Sequence, residues 1–293
     1  MLPVKRDIIF KIFFADERNI EFLTDFLKSA LTIPAEEYDE IVIVDPHLIR
    51  EFPSDKLGVI DVKLKTSSGK TIHVEIQVAP LPHMERRIAY YDAKMIAEQI
   101  GKSEKYKDIK QVISIVITED EFIKDSPSYH HRFTMYDAVN RVELTDIVEV
   151  HTLELCKIDT DLTEDRLKYW LEFIKAEGEI ELETVANRDP LIKKAVVRLM
   201  ELSADEKTRL LYEAREKERM DLESLLEEAR EKERMDAESR EDEARAEGEK
   251  AKAIVIAKNL LALDVPLEKV ISATGLTHEE VEDLRKTASS NPQ

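Results

Sequence analysis

The stretch LGVIDVKLKTSSGKTIHVEIQV, residues 57–78, decides how the chain folds. Two runs of alternating residues flank the turn Thr66-Ser67-Ser68-Gly69-Lys70, and a period of two predicts strands. In the first run Val62 and Leu64 point one way while Asp61, Lys63 and Lys65 point the other. In the second, Ile72, Val74, Ile76 and Val78 form an apolar face opposite His73, Glu75 and Gln77. A Ser-Gly turn closes such a pair into a hairpin, which lays the polar faces side by side and brings Asp61 within reach of Glu75. Two carboxylates so placed raise each other's proton affinity unless a cation sits between them.

That cation would be hard and divalent. Carboxylate and carbonyl oxygens favour Mg2+, Mn2+ or Ca2+, and Mg2+ often takes only one or two protein carboxylates. Such an ion polarises a phosphoryl oxygen and lowers the pKa of a bound water. Gln77, one pleat beyond Glu75, is placed to orient that water or to hold a phosphate oxygen. A sheet with one face open to solvent produces the same alternation, so spacing alone leaves both readings open.

The order Asp, a polar turn, then Glu-X-Gln on the next strand resembles the PD-(D/E)XK nuclease superfamily in its Gln-bearing form. Within it the chain resembles the recombination-promoting nuclease (Rpn) family, also labelled transposase. The likeness takes in RDIIFKIFF, GVIDVKLKT, VEIQV, RRIAYYDAKMIAEQIGKSEKYKDIKQVISIVI, YHHRFTMYD and LTDIVEVHTLEL, which covers roughly the first half of the chain in the family's order. The resemblance implies a restriction-endonuclease-like α/β core, a mixed sheet flanked by helices, and a metal-dependent DNA endonuclease. Asp61 and Glu75 would ligate Mg2+, with the Ile76 carbonyl as a third ligand, and Gln77 would complete the catalytic group. In the family, the Asp and Lys of the opening motif, Asp7 and Lys11 here, mark the helix that borders the active cleft. The two could equally pair with each other on the surface. Gln lacks the positive charge of the Lys in the named motif, and Lys63, facing the side of Asp61, could supply it.

With 293 residues the chain has room for one sizeable domain and an appendage. Charged residues make up 37%, well above the usual quarter, which predicts a solvated helical segment. The single cysteine, Cys156, excludes an internal disulfide. The opening MLPVKRDIIF shows no signal-peptide pattern and no apolar run is long enough to span a bilayer. The expectation is a soluble cytoplasmic protein. A net charge of −19 sits awkwardly with DNA binding, which draws its affinity from Lys and Arg. Residues 1–158 hold 21 basic and 28 acidic side chains, a balance of −7, and the remainder holds 23 and 35, a balance of −12. A DNA surface must therefore be a local patch such as Lys63, Lys65, Lys70, Arg86 and Arg87.

Along the chain, Asp7 to Leu31 has helical spacing with a break near Ala15 to Asn19, and EIVIVD (40–45) reads as a first strand. After the hairpin, Met84 to Ile100 reads as a helix ending at Gly101. On it Arg87 and Tyr91, four residues apart, could hold a DNA phosphate beside the cleft, or could be a solvated arginine and a core tyrosine. KQVISIVIT (110–118) predicts a central strand buried on both faces, and LTDIVEVHTLELCK (144–157) a last one. His130 and His131 make no metal site, because adjacent strand residues point to opposite faces.

The expected organisation is a nuclease-like domain at 1–158, a helical segment at 159–212, a charged helix at 213–250 and a small helix-turn-helix-like tail at 251–293. EAREKERMD at 213–221 recurs at 228–236, a period of 15 residues with few apolar positions. That suits a spacer or a loose homo-oligomerisation arm. Thr277 with Glu280 forms a capping-box pattern, and the acidic HEEVEDLRK that follows argues against a DNA-reading helix. The principal expectation is a DNA endonuclease. Its rival is a nuclease fold kept as a binding or assembly module with little activity.

Overall fold

The computed structural model describes residues 1–45, 61–78, 82–101, 105–159 and 165–289. Among them six strands form one mixed sheet: β1 (Val42–Val44), β2 (Val62–Lys65), β3 (Thr71–Gln77), β4 (Val112–Thr118), β5 (His130–Asp137) and β6 (Val142–Glu154). Their spatial order is β1-β2-β3-β4-β6-β5. The hairpin is present, with Val62 opposite Val74 and Leu64 opposite Ile72. Its turn closes through Gly69 N–H to the Thr66 carbonyl at 2.8 Å, and Gly69 has φ of +88°, a conformation that costs a side-chain-free residue nothing. Leu57 to Ile60 and the Pro46 and Pro53 region lie outside the described residues.

β3 and β4 run parallel at the centre of the sheet, as do β4 and β6, while β1-β2-β3 and β5-β6 are antiparallel. The connection from β3 to β4 carries α3 (Met84–Ala97), as parallel pairing of successive strands requires. α1 (Asp7–Phe14), α2 (Ile20–Ala30) and α4 (Arg166–Lys175) cover the opposite face. There Leu64, Ile72, Val74, Ile113, Ile115 and Ile117 meet Phe10, Phe13, Phe26, Trp170 and Phe173 in one core. On the α3 face, Val112 packs with Tyr91 and Met95, and Val116 with Met84 and Ile88. Every residue of β4 is therefore buried, as its β-branched run predicts.

The differences from the expected elements have local causes. The first strand keeps only three residues, Val42–Val44. β5, which the sequence left without a place in the sheet, pairs along β6 with a bulge between Thr134 and Met135. Within the expected helical segment at 159–212 the run from Pro190 is interrupted at Asp205, whose carboxylate accepts the Thr208 N–H at 2.8 Å and caps a new helix. Two helices result after α5 (Glu179–Ala186), namely α6 (Pro190–Ala204) and α7 (Glu206–Ala262).

Two compact units divide within α7, Met1–Glu216 and Lys217–Gln293. The second contains most of the charged helix, where the ion pairs include Arg219–Glu223 at 2.5 Å and Arg245–Glu249 at 3.5 Å, both base-before-acid. Its small core joins Ala257, Val270, Leu276 and Val281 across α7, α8 (Leu267–Thr274) and α9 (His278–Ser289). The capping box is formed: Thr277 N–H donates to Glu280 Oε2 at 2.9 Å and Glu280 N–H to Thr277 Oγ1 at 3.3 Å.

Candidate active site

β2 begins opposite Val74, so Asp61, the residue before it, stands beside Glu75 on the neighbouring strand. Glu75 lies on the side of the sheet that α3 covers, where Arg87 of that helix reaches it. Asp61 is anchored by the backbone: its Oδ2 accepts the Ile76 N–H at 2.8 Å. Burial pushes its carboxyl up to about 7, helped by the charges of Glu75 and Asp7 and opposed by the Ile76 hydrogen bond and the charge of Lys11. Glu75 is buried too, and burial raises its proton affinity against the opposing pull of Arg87 and His73.

α3 delivers the group that answers Glu75. Arg87 Nη2 lies 2.7 Å from Glu75 Oε1, and the same guanidinium sits 5.2 Å from the centre of the buried Tyr91 ring. The first turn of the helix thus puts a positive charge where paired carboxylates need one. Of the basic pair, Arg87 turns inward while Arg86 stays exposed, and of the two tyrosines Tyr91 is buried and Tyr90 exposed.

The other sequence-predicted residues are distributed around this pair. Gln77 is half-buried one pleat beyond Glu75, opposite Thr118 on β4. Lys63 pairs with Glu98 past the end of α3 at 3.4 Å. Asp7 and Lys11 on α1 are close enough for their charges to act on Asp61. Asp7 does not pair with Lys11 as the helical spacing allows. Its Oδ2 takes Arg215 of α7 at 2.9 Å, since a guanidinium from a neighbouring helix offers two donors in a fixed fork. His130 and His131 point to opposite faces as expected. His130 Nε2 lies 2.7 Å from His151 Nδ1, and His131 faces Glu154 at 3.4 Å.

One set of polar residues escaped the sequence reading. His73, on the same face of β3 as Glu75, meets Asp92 of α3 at 3.2 Å, and Ser114 of β4 donates its hydroxyl to the same Asp92 oxygen. All three are almost fully buried. The network fixes α3 to the two central strands one turn beyond Arg87, and so sets the height at which Arg87 reaches Glu75. Its one sequence signal is Ser114, a small polar residue inside a β-branched run.

The donor set suits a hard cation. Asp61 and Glu75 offer carboxylate oxygens, and burial raises the proton affinity of both. Among the described residues no three His, Cys, Asp or Glu side chains converge as a metal cage. An ion here would rest on these two carboxylates and complete its sphere with backbone carbonyl, such as that of Ile76, and water, as Mg2+ does.

A mixed sheet between helices, with an acidic pair at the mouth of its central hairpin, defines a nuclease-fold protein. The model of the PD-(D/E)XK nuclease family transposase matches residues 4–229, and the chain belongs to that family. The match runs past the first unit into the charged helix. No curated protein and no solved structure matches the chain. No helix among the described residues is long and apolar enough to cross a membrane.

Proposed function

We propose that the protein is a metal-dependent endonuclease that hydrolyses phosphodiester bonds in DNA. The observation that carries this reading is the pairing of Asp61 with Glu75, two carboxylates of raised proton affinity held by adjacent strands of a nuclease fold. A bound Mg2+ or Mn2+, or Ca2+ in a binding role, would supply Lewis acidity at the scissile phosphate and a water of lowered pKa. The residues do the rest. Asp61 and Glu75 would hold the ion, with the Ile76 N–H fixing the orientation of the Asp61 carboxylate. Gln77 aligns the attacking water or a phosphate oxygen, without the charge a Lys would bring. Arg87, which sits against Glu75 and over the Tyr91 ring, would be the group to hold a DNA phosphate beside the site. Lys11, whose charge acts on Asp61, would be a further cation for the developing negative charge.

The test is plasmid nicking with Mg2+ or Mn2+ by the wild type, Asp61→Ala and Glu75→Ala. Loss of nicking in both variants supports the assignment, and undiminished nicking in either overturns it. The second reading, a binding or assembly module, is favoured by one observation: Arg87 already neutralises Glu75. It predicts no nicking by the wild type and retention of any DNA binding in both variants. Self-association through the C-terminal helices belongs to this proposal. It draws on the exposed Met220, Leu222, Leu225 and Leu226 of α7, and sizing of the full chain tests it.

A further inference from the structure

Among the described residues the sheet has two edges, β1 and β5. β1 keeps three residues, whereas β5 runs for eight, His130–Asp137, without a proline or lysine to turn another strand away. The one cation on it that stays charged, Arg132, is held by Glu149 of β6 at 2.8 Å. Its other exposed side chains are largely apolar. Phe133, Met135 and Tyr136 are exposed, and Phe133 and Met135 border an apolar cavity of about 590 Å³ beside α3 in place of a packed layer.

The open part of this edge is short and symmetric. The Glu154 N–H donates to the Tyr129 carbonyl at 2.8 Å, so antiparallel alternation turns the backbone of His131 and Phe133 to β6 and that of His130, Arg132 and Thr134 outward. The register shifts beyond Thr134 add residues to β6 alone, and the alternation of β5 carries on to Tyr136. Ser128 closes one end: its hydroxyl donates to the His130 carbonyl at 3.0 Å and accepts the His130 N–H at 3.4 Å. The hairpin turn closes the other, where the Asp137 carbonyl accepts the Arg141 N–H at 2.8 Å. Between them lie the outward groups of Arg132, Thr134 and Tyr136, centred on Thr134.

We infer that β5 is the docking edge for a second copy of this chain, paired antiparallel about a two-fold axis at Thr134 so that two sheets become one. An open edge symmetric about its centre is its own complement. Thr134 meets Thr134 of the second copy, and Arg132 meets Tyr136, a cation beside an aromatic ring in each direction. On the other face Phe133 falls opposite Met135, at a position where antiparallel side chains approach most closely and a thioether suits a ring. Other registers lose this match. They set Tyr136 or Thr134 against His130, whose backbone Ser128 already holds, or carry Arg132 past Asp137 into the turn. The contact is separate from association through α7 and requires neither metal nor DNA.

The experiment uses the full chain. Light scattering is expected to give twice the chain mass. Met135→Lys, which sets a cation against Phe133 of the second copy, should weaken the dimer at least tenfold, and Thr134→Pro, which removes the central N–H donor, should leave a monomer; circular dichroism checks that both fold. The register is read by disulfide formation in a Cys156→Ser background, which removes the single native thiol. Phe133→Cys and Met135→Cys should give a covalent dimer when the two variants are mixed and at least tenfold less when either is alone. Leu225→Lys, on the exposed face of α7, should leave that cross-link intact. A monomeric wild type, a dimer that survives both Met135→Lys and Thr134→Pro, or a mixture that cross-links no better than its components overturns the proposal. Loss of the cross-link in Leu225→Lys assigns the association to α7 and overturns it as well.

Discussion

Arg87 and Glu75 form an ion pair of 2.7 Å between α3 and the central strand β3, with the carboxylate buried and the guanidinium about one-third exposed. On the proposed function a bound cation would compete with this arginine for Glu75.

Replacing Arg87 by Gln is therefore expected to act in two directions. Without a metal the variant loses about 1–2 kcal/mol, because Glu75 stays buried without its partner, less than for a fully buried pair since Arg87 is partly solvated. Mn2+ should bind the variant more tightly than the wild type, since no guanidinium competes for Glu75. Thermal unfolding with and without Mn2+ checks both, and a variant that binds Mn2+ more weakly contradicts the competition.

The raised Asp61 pKa sets a pH dependence. The folded protein holds this proton up to about 7, whereas an unfolded aspartate releases it near 3.8. Between these values the folded state binds more protons, so the Asp61 contribution to metal-free stability falls as pH rises from 4 to 7 and is level above. Asp61→Asn should remove that slope and melt higher than the wild type at pH 8, by about 2–4 °C for each kcal/mol recovered. Metal binding must expel the same proton. Mn2+ affinity should thus climb by about tenfold per pH unit below 7 and level off above it, measured by calorimetry in two buffers of different ionisation enthalpy.

The His73–Asp92–Ser114 network should matter for stability before it matters for activity. Ser114→Ala leaves a buried carboxylate with one fewer donor and is expected to cost about 1–3 kcal/mol in denaturant unfolding. Loosening α3 also weakens the Arg87–Glu75 contact, so hydrogen exchange should rise at the amides of α3 from Arg87 onward.

In the C-terminal unit, Thr277→Ala removes the hydroxyl that accepts the Glu280 N–H and donates to its carboxylate. A loss of about 1 kcal/mol, seen as lower helicity at elevated temperature, is expected. The exposed Glu280 carboxyl, held down to about 2 by Lys250 and the Thr277 groups, should keep the cap closed through mild acid.

Alternation along residues 61–78 determined the hairpin and the inward set Val62, Leu64, Ile72, Val74 and Ile76, because strand periodicity is a local property of the backbone. The unbroken β-branched run likewise marked β4 as central, and the capping box marked the start of α9. Only the tertiary structure decided what those side chains meet. That Arg87 rather than Arg86 turns to Glu75, that Arg215 rather than Lys11 takes Asp7, and that Asp92 joins His73 to Ser114 depend on how far α3, α1 and α7 slide and rotate against the sheet. Those settings come from packing between segments distant in sequence, and no single stretch of the chain encodes them.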